Sequence, residues 1–293
     1  VVDGFLIIDK PAGITSHDVV NRVRRILGTK KVGHTGTLDP FATGILPVAV
    51  NEATKAIQFL DEGKKRYEAV IRLGFSTDTL DITGNILQEK DTSTINRKKL
   101  LDAMAGLTGE IEQLPPMFSA IKHAGQPLYK LARKGIEVER QLRRVTISTF
   151  ELLEFENPFA TVRVTCSRGT YIRTLADDLG LKLGCGGCLT ELRRTISGPF
   201  HLNNAITIEQ LDTYTKDGTI LQHLLPIADA VSHLEEIVLE DKELGRIKNG
   251  IPPVERLAEM STGMFRLLHQ GKLIAIAEKS LETEVILKRV FNN

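Results

Sequence analysis

The sequence predicts an α+β fold: a mixed, mostly antiparallel sheet flanked by helices, with a small β-barrel at the C-terminal end. Three observations carry this expectation. Strand-like and helix-like segments interleave without the regular period of βαβ units, which argues against a doubly wound sheet. In residues 67–75, Tyr67, Ala69, Ile71, Leu73 and Phe75 alternate with Glu68, Val70, Arg72 and Gly74, as in a strand with one buried face. The final stretch has a helix-like segment at 241–248, a Gly250-Ile251-Pro252-Pro253 break, and short strands near Phe265, Ile274 and Ile286. Such a segment suits a small barrel appended to a larger domain. The expected domains are therefore 1–232 and 236–293.

In chain order, Gly4 to Ile8 is a short apolar strand stopped by Lys10-Pro11-Ala12-Gly13, where Pro and Gly each break regular structure. Ser16 is the expected N-cap of a helix whose Val19, Val20, Val23, Ile26 and Leu27 share one face and leave the arginines on the other. Gly33 to Gly44 is a loop, followed by an apolar strand from Ile45 to Val50. Helices are expected at Asn96–Leu107, Leu128–Lys134 and Thr170–Leu183, with a Pro115-Pro116 break between the first two. Val145–Phe155 and Thr161–Ser167 read as paired strands.

A chain of 293 residues can bury about 75% of its unfolded surface, so a conventional core needs no covalent staples. With 42% hydrophobic and 26% charged residues, no apolar run reaches the ~18 residues of a membrane span, and no signal-peptide pattern opens the sequence. The expectation is a soluble cytoplasmic protein. Val1 at the start implies a missing initiator segment, and Cys166, Cys185 and Cys188 are too few and too clustered for a disulfide framework. The net charge of +1 gives no hint of a nucleic-acid partner, but its distribution does. Val19 to Leu38 holds Arg22, Arg24, Arg25, Lys30 and Lys31 and no acid; Lys130, Arg133, Lys134, Arg140, Arg143 and Arg144 form a second cluster. Each reads equally as a solvated face or as an RNA-facing patch.

The most informative stretch is Gly33-His34-Thr35-Gly36-Thr37-Leu38-Asp39-Pro40-Phe41-Ala42-Thr43-Gly44. Proline biases the preceding Asp39 toward an extended backbone, and the flanking glycines permit close approach of another molecule. Taken alone, this is a decorated turn; Tyr67 alone is a core tyrosine and Arg173 a surface cation on a helix. Their combination changes the reading. Lys10-Pro11, the Gly33–Gly44 loop, Lys65-Arg66-Tyr67, Gly169-Thr170-Tyr171-Ile172-Arg173-Thr174-Leu175 and Leu189 to Arg194 closely resemble, in order and over nearly the whole chain, the motifs of the tRNA pseudouridine-55 synthase family.

The resemblance implies that Asp39 is the essential aspartate, acting on a T-loop uridine so that the glycosidic bond breaks and re-forms at C5. It implies that Tyr67 stacks on the target base and helps remove the C5 proton, and that Arg173 pairs with the catalytic carboxylate and keeps it ionised. His34 then contacts the RNA where the base flips out, Tyr171 and Leu192 wall the pocket, and Lys10 either supports the loop or contacts phosphate. The C-terminal segment resembles the PUA domain, a small RNA-binding module. The resemblance implies no cofactor and no metal, with the tRNA T-arm as partner; no membrane association is expected, and a monomer is.

Cys185-Gly186-Gly187-Cys188 has the spacing of a zinc half-site, which Cys166 and His201 would have to complete, or of a redox pair; the family uses a Gly-Cys-Gly turn here and needs no metal. Two other readings remain: a protein whose main use is to help tRNA fold, and the guide-RNA-dependent relative, whose extensions for partner proteins have no counterpart in this sequence.

Overall fold

The computed structural model describes residues 2–61, 63–281 and 284–292, so Val1 and Asn293, the outer bounds of the expected domains, lie outside the described residues. The first half runs β1 (Gly4–Lys10), α1 (Ser16–Leu27), β2 (Val32–His34), β3 (Thr43–Val50), β4 (Lys64–Leu73), β5 (Phe75–Thr77), β6 (Ile86–Glu89), α2 (Arg97–Ala105), β7 (Gly109–Gln113), β8 (Lys122–His123), β9 (Gln126–Pro127) and α3 (Leu128–Ala132). The second half runs β10 (Arg143–Glu156), β11 (Phe159–Ser167), α4 (Ile172–Lys182), β12 (Gly187–Ser197), β13 (Phe200–His201), α5 (Ile208–Lys216), β14 (Leu224–Leu225), α6 (Ile227–Ala230), β15 (Glu235–Val238), α7 (Asp241–Lys248), α8 (Val254–Leu257), β16 (Gly263–His269), β17 (Lys272–Lys279) and β18 (Val285–Val290). These form two compact units. The described residues of the first lie within 2–40, 44–61 and 198–292; those of the second lie within 41–43 and 63–197.

In the first unit β1 lies antiparallel between β14 and β3, and β2 also pairs with β3, setting His34 opposite Val48. Val19, Val20 and Val23 of α1 are buried with Ile208 and Leu211 of α5 against one face of these strands. The helix starts one residue earlier than expected. Thr15, not Ser16, is the N-cap, because Asp18 three residues on completes a capping box: Thr15 accepts from the Asp18 N–H and Asp18 accepts from the Thr15 N–H. Ser16 is thereby turned inward.

The other face of the same strands buries Phe5, Ile45 and Phe200 together with Leu268, Leu273, Ile276 and Phe291 from the C-terminal sheet. That sheet is four-stranded in the order β15-β16-β17-β18, parallel between its first two strands and antiparallel elsewhere. Where a barrel is expected, the strands form an open sheet. The physical reason is that its second face is covered by Ile247 and Leu257 of α7 and α8, so both apolar faces are buried without closure. The backbone N–H of Asn292 donates to Glu52 at 2.8 Å, which fixes the end of the last strand.

The second unit is an antiparallel sheet in the order β12-β4-β11-β10-β7. The alternation in β4 is as expected: Tyr67, Ala69, Ile71 and Leu73 are buried. Helix α4 packs on the start of β12 at a contact only glycine permits, since a Cβ on Gly180 would lie 2.0 Å from the Gly186 carbonyl carbon. No helix among the described residues is long and apolar enough to cross a membrane.

Candidate active site

The expected site residues fall into two groups, Lys10, His34 and Asp39 in the first unit and Tyr67, Tyr171, Arg173 and Leu192 in the second. In the first group the loop between β2 and β3 is held at several points. Lys10 has no exposed surface, and its ammonium donates to the carbonyls of Pro11 (2.9 Å), Ile14 (2.9 Å) and Pro40 (3.2 Å). An ammonium has three N–H donors, and three carbonyls occupy them. This geometry favours loop support over phosphate contact. The Gly13 N–H also donates to the Pro40 carbonyl, at 2.8 Å. On the other side of Asp39, the Ser16 hydroxyl accepts from the Leu38 N–H at 2.9 Å and donates to the Leu38 carbonyl at 3.1 Å. Asp39 itself is half-buried between these two fixed neighbours. His34 accepts the Gly36 N–H at Nδ1, 3.3 Å away, which leaves Nε2 as the ring's N–H donor in the neutral form.

In the second group Tyr67 lies opposite Arg194 and Leu192 lies opposite Ala69, so these side chains share one sheet face with Tyr67 and Leu192 on the diagonal. Arg173 is far from the surface cation that a lone helix position suggests. It is 4% exposed; Nη1 donates to the Thr79 carbonyl (3.0 Å) and meets Asp81 (3.4 Å), while Nη2 donates to the Phe118 carbonyl (2.8 Å). Asp81 is in turn fixed by Thr79 and Thr83, whose hydroxyls donate to its Oδ1 at 2.9 and 2.5 Å, and by the Thr83 N–H at 3.0 Å. Tyr171, which precedes α4, is gripped by the buried Gln113 amide: its N–H donates to Oε1 at 3.0 Å and its carbonyl accepts from Nε2 at 3.3 Å.

Sequence reading missed Ser16 in this role, Asp81 and Gln113. The run Thr77-Asp78-Thr79-Leu80-Asp81-Ile82-Thr83-Gly84-Asn85 does carry a signal, since such density of Thr, Asp, Asn and Gly marks a loop braced by side-chain-to-backbone bonds. What it does not show is a partner 92 residues away. The cysteines are free and buried, and burial pushes the Cys166 and Cys188 thiols up to about 11, which leaves both protonated near neutrality. On α4, burial and then the neighbouring Asp177 raise the Asp178 carboxyl to about 6.

Two family models match consecutively, the TruB family pseudouridylate synthase N-terminal domain over residues 24–172 and the tRNA pseudouridylate synthase B C-terminal domain over residues 173–232. The chain belongs to the TruB family of pseudouridylate synthases. Among relatives of this TruB-family chain, tRNA pseudouridine synthase B of Geotalea uraniireducens is 47% identical, covering 99% of this chain and 98% of that one. The enzyme of the same name from Geobacter sulfurreducens is also 47% identical, covering 99% and 100%. Among solved structures, a chain of a Cbf5-Nop10-Gar1 complex superposes with a TM-score of 0.76 at 30% identity, over 99% of this chain and 85% of that one. A chain of an H/ACA RNP bound to a substrate RNA containing 2'-deoxyuridine gives 0.75 at 28%, over 99% and 85%. The fold of this chain is thus shared by chains of those two complexes.

Proposed function

We propose that this TruB-family protein isomerises uridine to pseudouridine in tRNA, at position 55 of the T-loop, with Asp39 as the catalytic residue. The observation that carries the reading is 47% identity across 99% of the chain to proteins named tRNA pseudouridine synthase B. Attack on the sugar carbon, addition to the pyrimidine ring and abstraction of a sugar proton all require an ionised Asp39 carboxylate, and Arg173 is assigned the role of keeping it ionised. Tyr67 takes the stacking position beneath the base and the part in removing the C5 proton. Flipping the uridine out of a folded T-loop costs a few kcal/mol, which His34, Tyr171 and Leu192 offset by holding the vacated loop and the base. Lys10 supports the Asp39 loop.

The reaction is redox-neutral and needs no metal or other cofactor, so activity is expected to survive dialysis against a chelator; a loss that zinc restored would reinstate Cys185 and Cys188 as ligands. The protein acts as a cytoplasmic monomer, with a catalytic domain at 1–232 and a PUA-like RNA-binding module at 236–293. The second family match, ending at residue 232, supports that boundary. Truncation is the wrong test of the module, because removing Leu268, Leu273, Ile276 and Phe291 would uncover Phe5 and Phe200. Exposed cations such as Lys272 and Lys288 are the positions to change, and neutralising a lysine that meets a phosphate should flatten the salt dependence of tRNA binding by about one unit of slope.

The decisive experiment is chemical mapping of pseudouridine in a T-arm hairpin incubated with the protein alone. Modification at the T-loop uridine without a guide RNA is expected. The likeness to chains of a Cbf5-Nop10-Gar1 complex and of an H/ACA RNP bound to a substrate RNA favours one alternative, a guide-dependent enzyme, and modification only after adding a guide and partner proteins would establish it. An unmodified hairpin that nonetheless folds faster with the protein would leave a tRNA-folding role alone.

A further inference from the structure

We infer that Ser16 is a positioning residue for catalysis, fixing the peptide plane that leads into Asp39; the inference rests on the reading of Asp39 as the catalytic group. A serine hydroxyl can donate once and accept at the same time, and Ser16 does both toward one residue, accepting the Leu38 N–H at 2.9 Å and donating to the Leu38 carbonyl at 3.1 Å. These two groups belong to successive peptide units. The Leu38 carbonyl shares its plane with the N–H of Asp39, so the bond to it fixes the orientation of the unit on which the carboxylate is mounted.

Three further features make this a positioning device and not a generic buried hydrogen bond. Ser16 is 2% exposed and sits at the start of α1, a helix anchored by the buried Val19, Val20 and Val23, so the clamp is referenced to a rigid element. Helix initiation does not need the Ser16 hydroxyl, because Thr15 and Asp18 already form the capping box. On the far side of Asp39, the proline ring limits φ at residue 40 and the Pro40 carbonyl is held by the Lys10 ammonium and the Gly13 N–H. Ser16 holds the Leu38 side through its main chain, and so supplies the second half of a two-sided grip.

Removing the hydroxyl should let the Asp39 peptide plane rotate while the helix and the RNA-binding surface stay in place. A displacement of about 1 Å at a reacting group costs up to roughly a hundredfold in rate. Ser16→Ala is therefore expected to lower the single-turnover rate of pseudouridine formation by about ten- to a hundredfold, with tRNA affinity within about twofold of wild type and little change in melting temperature. Ser16→Thr, which keeps the hydroxyl, should recover most of the rate. The proposal is overturned if folded Ser16→Ala reacts at the wild-type rate, or if its rate falls only in step with weakened affinity or folding, or if Ser16→Thr is folded and no better than Ser16→Ala. Asp39→Asn run alongside separates the two claims: an inactive Asp39→Asn with a fully active Ser16→Ala refutes the clamp and leaves the Asp39 reading standing, whereas an active Asp39→Asn refutes that reading itself.

Discussion

The loop around Asp39 and the start of α4 around Arg173 both use a buried cation, but the direction of support is reversed. Lys10 is the strut: its ammonium reaches three carbonyls, and what it holds is the main chain of the loop. Arg173 is what is held: the Thr79 and Phe118 carbonyls and the Asp81 carboxylate fix its guanidinium in place. The ion types suit the tasks, since an ammonium is a compact hub for converging carbonyls and a guanidinium is a planar fork whose direction can be set. The difference teaches that one region gains precision by immobilising backbone and the other by immobilising charge.

Asp81→Ala should have the largest effect on this comparison. It removes the Asp81 carboxylate from the buried Arg173 guanidinium, a change expected to cost about 3–5 kcal/mol, and it should abolish pseudouridine formation as well as lower the denaturation midpoint. If Asp81→Ala were as stable as wild type, Arg173 would not depend on that carboxylate. Lys10→Met comes next, at about 2–3 kcal/mol, because the carbonyls lose charge-assisted donors. A variant of unchanged stability but weakened, less salt-dependent tRNA binding would make Lys10 a phosphate contact and dissolve the contrast.

How far each region is legible in the sequence follows the same division. The strut is local: Lys10, Pro11, Gly13 and Ser16 lie within one short motif and their target within another, so composition and order point to both. Even there, the competition for the N-cap between Thr15 and Ser16 is decided by Asp18, and overlooking the capping box gives Ser16 the wrong task. The charge platform is non-local. Asp81 meets Arg173 only because an isolated bridge sets Asp81 beside Leu189 and α4 packs on β12 through Gly180, none of which a single sequence displays. The alternation in β4 places Tyr67 correctly because a two-residue period needs no partner strand to be read. The C-terminal strands are equally legible one by one, whereas the open sheet is not, because closure depends on which layers cover its faces.

The smallest expected effect concerns Asp178, on the helix that carries Arg173. Burial raises its carboxyl to about 6, so the folded state binds this proton more tightly than the unfolded chain does. Stability should therefore fall as pH rises through the window from about 4 to about 6 and stay lower above it. Asp178→Asn removes that dependence, and melting curves should show it more stable than wild type above this window by on the order of 1 kcal/mol, after the discount that solvent screening imposes on a half-buried group. The reverse order would mean that the ionised carboxylate is stabilised in the fold and not penalised by burial.

The most direct test of the account is Asp39→Asn, which keeps the side chain's size but removes its charge and its nucleophilic or basic oxygen. Single-turnover pseudouridine formation is measured beside a tRNA-binding titration with the same preparation. Binding should persist near the wild-type level, because affinity comes from phosphate contacts and base stacking, while product formation should stop. A variant forming pseudouridine within about tenfold of the wild-type rate, under ~1.4 kcal/mol of barrier, would contradict the assignment of Asp39 as the catalytic group.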